Sequence, residues 1–157
     1  MGQIVRLGEI LVGKGLATDA DIEQALARQH VQGGRLGTHL VAMGVLTIEA
    51  LLAILRDQRD IEGALEVCEH ALRRWVSVYG ERHPNTYRAR YSLSRVLLGS
   101  GRTGEAVEQA KKACTGLTAT LGPGHPWTVD SNQHLKQVSA LLAASESAKP
   151  QPAGASA

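Results

Sequence analysis

The chain has 157 residues, 43% of them hydrophobic and 20% charged, which fits one domain or two small modules of a soluble globular protein. Seventeen basic and fifteen acidic side chains leave a formal charge of +2, too even for a binder of nucleic-acid polymers. No apolar run is long enough for membrane insertion, MGQIVRLGEI has no secretory core, and two cysteines, Cys68 and Cys114, exclude a disulfide framework and favour a cytoplasmic location.

The first part of the chain repeats with a period of 29 residues (Arg6 to Arg35). Arg6-Leu7-Gly8, Leu11, Gly15, Ile22, Leu26 and Gln29 return as Arg35-Leu36-Gly37, Leu40, Gly44, Leu51, Leu55 and Gln58. Each copy reads RLG-x2-L-x3-G-x6-[IL]-x3-L-x2-Q, and His30 to Gly34 separate the two. Helix stops fall at Gly13-Lys14-Gly15 and Gly33-Gly34. Between them, Ile22, Ala25 and Leu26 have helical spacing over 19–29, with Thr18 as N-cap and Asp19 and Asp21 at the positive helix end. Thr47 and Glu49 start the equivalent helix over 48–58.

A second period, of 42 residues (His83 to His125), overlaps the first near 47–58 and governs the rest. Apolar spacing predicts helices over 62–79, 86–98, 103–121 and 127–144, broken at Gly80 to Pro84, Gly99 to Gly101 and Gly122 to Pro126. Ala64, Ala71, Ala106 and Ala113 are small enough for close helix approach, while Leu65, Leu93, Leu97 and Val107 fill the remaining space. His83 and His125 precede proline at equivalent turns, which gives them a capping or turn role. Residues 145–157 turn to small residues with Pro150 and Pro152 and read as a disordered tail. The fold class is all-α, a small helical repeat pair merging into a short helical array.

The second period resembles tetratricopeptide repeats of the kinesin-light-chain-like kind. The motifs that carry the resemblance are Leu121-Gly122-x2-His125-Pro126-x-Thr128, preceded by Tyr79-Gly80-x2-His83-Pro84-x-Thr86, and Gly101-Arg102-x2-Glu105-Ala106 in the intervening turn. It covers about 51–144 and implies a partner-protein surface on the first helix of a pair, displaying Asn85, Tyr87, Arg88, Tyr91 and Arg95. The alternative for Tyr87 and Tyr91 is packing between helices. The partner is another protein or a second copy of the chain.

Leucines in the 29-residue motif suit packing; glycines and arginines ask for more. Gly8 and Gly37 remove a β-carbon where a ligand approaches a first helical turn, and Arg6 and Arg35 offer guanidinium groups for phosphate or for stacking on a base. Gln29 and Gln58 either brace the loop or pair with a ligand. With both copies intact apart from Ile22, residues 1–58 resemble the MshEN-type domain at the N-terminus of type II secretion and type IV pilus ATPases. That resemblance implies cyclic-di-GMP as ligand, held by Arg6, Leu7, Gly8, Leu11, Gly15, Gln29, Arg35, Leu36, Gly37, Leu40, Gly44 and Gln58. The chain departs from the family by running into repeats instead of a second subdomain and an ATPase, and it contains no G-x4-GK[ST] motif.

Nothing in the chain groups into enzyme chemistry. His30, His39, His70, His83, His125 and His134 form no HExxH motif, and Cys68-x-His70 alone is weak metal evidence. The expectation is a non-enzymatic cyclic-di-GMP-responsive adaptor without a cofactor or metal. The alternative is a nucleotide-independent scaffold or self-assembly module whose arginines anchor salt bridges.

Overall fold

The computed structural model describes residues 2–150, with side chains described from Leu7 onward. Among the described residues every regular element is an α-helix: α1 Gly2–Gly13, α2 Asp19–Gln32, α3 Leu36–Ala42, α4 Ile48–Asp57, α5 Ile61–Tyr79, α6 Pro84–Gly99, α7 Thr103–Leu121 and α8 Pro126–Ser147. The chain divides into two compact units, Met1–Ala71 and Leu72–Ala157, with the boundary inside α5. This division is of packed bodies, whereas the sequence boundary near 58 is of repeats. No helix is long and apolar enough to cross a membrane among the described residues.

In the first unit the 29-residue motif is a helix–cap–helix device used twice. Gly15 and Gly44 take φ of +68° and +75°, the left-handed conformation that glycine adopts without steric cost. The residue after each closes a bond to the carbonyl of the motif leucine, Leu16 N–H to Leu11 and Val45 N–H to Leu40, at 2.9 and 3.0 Å. Both leucines are fully buried. The next helix then starts from a threonine N-cap: the Thr18 hydroxyl accepts from Asp21 N–H, and that of Thr47 from Ala50 N–H. Thr18 and Asp21 form a reciprocal capping box, and the Thr18 hydrogen bonds hold the Asp21 carboxyl below its usual range.

The motif glycines in RLG serve helix packing. A β-carbon on Gly37 would lie 2.8 Å from Leu51 Cδ2, and one on Gly8 would lie 3.2 Å from Ile22 Cγ2. Leu51 and Ile22 occupy the same motif position, so the spacing G-x13-[IL] joins two helices of one copy. Both glycines thus serve the packing of two helices, and Gly37 in addition faces the cleft described below. A first-turn position is wrong for the first copy: α1 begins at Gly2, so Leu7 and Gly8 lie inside the helix.

The second unit contains antiparallel hairpins. Tyr87 lies against Gly116, Arg90 Nη1 donates to Gln109, and Ser94 Oγ donates to the Ala106 carbonyl, so α6 and α7 run in opposite directions. The same logic pairs α7 with α8 through Cys114 and Asn132 and through the cluster of Val107, Ala110 and Val138. Ala106, Ala110 and Ala113 are completely buried, which permits this close approach. His83 and His125 cap α6 and α8: each Nδ1 accepts an N–H two residues on, at 3.2 Å, with proline at the first helical position. The expected capping role is therefore observed. α8 continues to Ser147, three residues into the expected tail, and 151–157 lie outside the described residues.

Candidate functional site

A cleft of about 540 Å³ opens in the first unit, lined by residues of α1 to α5. Six of the twelve sequence-predicted ligand residues line it: Leu7, Gln29, Arg35, Leu36, Gly37 and Gln58. Five do not. Leu11 and Leu40 are core, Gly15 and Gly44 form the helix-end turns, and Gly8 packs on Ile22. The side chain of Arg6 lies outside the described residues.

Arg35 is the N-cap residue of α3 and carries no side-chain cap bond, which leaves its guanidinium to reach across the cleft. Nη1 donates to Asp60 Oδ2 at 3.0 Å, and Nε forms an ion pair with Glu66 Oε2 at 2.6 Å. Asp60 uses its other oxygen to accept Gly63 N–H at 2.9 Å, capping α5 in the manner of an N-cap aspartate. Gly63 leaves room for this arrangement: a β-carbon would meet Asp60 Oδ2 at 2.5 Å and Arg35 Nη1 at 2.8 Å, so both side chains would have to shift. The Arg35 side chain remains 39% exposed, so these ion pairs are solvent-screened and exchangeable. Gln29 takes the bracing role, its Nε2 donating to the Gly34 carbonyl at 2.7 Å, while Gln58 ends α4 on the cleft wall.

Sequence reasoning missed Asp57, Arg59, Asp60, Gly63 and Val67, which also line the cleft. Asp57 ends α4 inside the second motif copy but at none of its fixed positions, and the others belong to the connection after that copy and to α5, where the 29-residue pattern has ended. Asp60 followed three residues later by Gly63 at a helix start was the only local sign.

The second unit carries a cation–aromatic face. Arg88 stacks between Tyr91 and Trp127, its guanidinium carbon 5.1 and 5.2 Å from the two ring centres, and Arg95 lies 5.8 Å from the Tyr91 ring. Tyr91 meets His134 edge-on at 5.3 Å. Thus Arg88, Tyr91 and Arg95, three of the five residues expected on a partner face, come together with Trp127 and His134 of α8. Buried Arg88 Nη1 has no hydrogen-bond partner among the described residues. Tyr87 instead packs over Gly116, and the Asn85 backbone N–H is taken by the His83 cap.

Two polar groups resemble chemistry without supplying it. Ser94 Oγ and His134 Nε2 are 2.8 Å apart, but Ser94 is fully buried and gives its proton to the Ala106 carbonyl at 2.6 Å. Burial pushes the Cys68 thiol up to about 12, assisted by the charges of Glu69 and Glu49, so it is held as an unreactive thiol. Among the described residues no three His, Cys, Asp or Glu side chains group as metal ligands.

Residues 44–119 match the tetratricopeptide repeat family model. This stretch is a tetratricopeptide-like repeat region, a helical scaffold suited to protein–protein interaction. No curated protein matches the chain.

Proposed function

We propose that the chain is a non-enzymatic, cytoplasmic bacterial adaptor that binds cyclic-di-GMP in the α1–α5 cleft and a partner protein on the α6 face. The observation that carries this reading is the convergence of Leu7, Gln29, Arg35, Leu36, Gly37 and Gln58 on one cleft of about 540 Å³. The MshEN-type resemblance joined these residues from two motif copies, and the volume suits a nucleotide-sized ligand. Arg35 supplies the exchangeable group: leaving Asp60 and Glu66, it clasps a phosphate or stacks on guanine. The partner is a protein, either another chain or a second copy of this one, docking on Arg88, Tyr91 and Arg95.

A second reading has its own observation. Arg35 already holds two carboxylates, as a nucleotide-independent scaffold with salt-bridge arginines requires. Calorimetric titration of the full chain with cyclic-di-GMP separates the two, with GMP and the Arg35→Ala variant as controls. The adaptor reading expects saturable binding at micromolar or lower Kd, weakened at least tenfold in Arg35→Ala and absent with GMP. No heat and no thermal stabilisation at millimolar cyclic-di-GMP would leave the scaffold reading.

A further inference from the structure

We infer that Arg59 is a further ligand-binding residue of the cleft, supplying the cation that meets the nucleotide phosphate; this rests on the cyclic-di-GMP reading. Two cations line the cleft, Arg35 and Arg59. Arg35 is occupied by Asp60 and Glu66, whereas the Arg59 side chain makes no hydrogen bond or ion pair among the described residues, its backbone N–H alone bonding to the Arg56 carbonyl. Arg59 is therefore the guanidinium that meets an incoming phosphate without first breaking a bond.

Its backbone makes the same point independently. Arg59 has φ of 57° and is the one non-glycine residue at positive φ among the described residues. The helix end it forms is the same device seen twice before: Asp60 N–H bonds to the Leu55 carbonyl at 2.8 Å, as Leu16 does to Leu11 and Val45 to Leu40. At the two earlier ends the left-handed residue is Gly15 or Gly44, which adopts it freely. The third end places a long cationic side chain at a position glycine fits better, and that position is on the cleft wall. Strain of this kind is retained where a side chain is used.

Charge within the cleft agrees. Asp57 and Asp60 also line it, so without Arg59 its lining charges would sum to net negative and would repel a dianion. Exposed Arg59 restores the balance of two cations and two carboxylates along the lining.

The test is cyclic-di-GMP titration of the full chain and of Arg59→Gly, Arg59→Lys and Arg35→Ala. Arg59→Gly relieves the left-handed backbone, so loss of folding does not confuse the readout. The expected result is Kd raised about tenfold or more in Arg59→Gly, a smaller loss in Arg59→Lys, and a shallower dependence of Kd on salt in Arg59→Gly. Wild-type affinity in Arg59→Gly with loss in Arg35→Ala would overturn the role of Arg59 and leave the cyclic-di-GMP reading standing. Absence of binding to the wild-type chain would overturn both.

Discussion

His134 shows how a single buried hydrogen bond fixes a protonation state. Ser94 commits its proton to the Ala106 carbonyl, so its oxygen is the acceptor facing His134, and Nε2 of the imidazole must carry a hydrogen. Burial, and then the positive charge of Arg95, push the His134 pKa below its ordinary 6.5. The unfolded chain consequently binds the proton more readily than the folded one. Stability contributed by neutral His134 is complete above about pH 6.5 and declines as pH falls below it, levelling once the folded imidazole is also protonated. Urea unfolding at pH 7.5 and pH 5.0 checks this against His134→Gln, which keeps a donor but does not titrate. Wild type should lose more stability than the variant over that interval; equal losses would assign the pH dependence elsewhere.

At the scale of helices, substitution separates packing from ligand approach in the RLG motif. A methyl group on Gly37 intrudes on the methyls of fully buried Leu51, which must shift within the core, whereas one on Gly8 presses on half-buried Ile22. Overpacking costs about 1–3 kcal/mol, and alanine returns up to about 1 kcal/mol of helix propensity. Gly37→Ala should destabilise by about 1–2 kcal/mol and Gly8→Ala by distinctly less, both measured by chemical denaturation without ligand. Unchanged stability in Gly37→Ala would return that glycine to a ligand-approach role.

The same helices show what the sequence made legible. Thr18, Thr47, His83-Pro84 and His125-Pro126 announce helix starts because a cap acts within three residues of itself, and the helices begin there. The expected 103–121 helix is α7 to the residue, and the others differ by a few residues at their ends. Tertiary partners left no such local mark. Arg35 and Asp60 are 25 residues apart, and they belong to different sequence periods, so repeat comparison could not join them. Gly37 and Leu51 did recur together in the motif, yet recurrence alone does not distinguish a glycine that admits a ligand from one that admits a leucine. Tyr87 had two readings on a helix surface, and Gly116 across the hairpin decided for packing.

For the whole molecule, the question is whether a ligand in the first unit has a route to the repeat face. The physical candidate is α5, one helix from Ile61 to Tyr79 that begins at the Asp60 cap beside Arg35 and passes the unit boundary at Ala71. Ligand at a hundred times its Kd stabilises any opening that destroys its site by about 2.7 kcal/mol, roughly a hundredfold in amide exchange. With cyclic-di-GMP bound, exchange should slow by about that factor in α3, α4 and α5 up to Ala71. An adaptor further requires slowing to continue into Leu72–Tyr79, because a ligand shifts an equilibrium only where it distinguishes two states. Hydrogen-exchange mass spectrometry with peptides spanning α5 reads this gradient directly. Protection that stops at Ala71 would describe a nucleotide-binding unit joined to an indifferent repeat scaffold. Protection that crosses it would show that the ligand reaches the repeat unit, and any change it then makes in the affinity of a partner docked on Arg88 and Tyr91 must be matched, by reciprocity, by an equal factor in cyclic-di-GMP affinity.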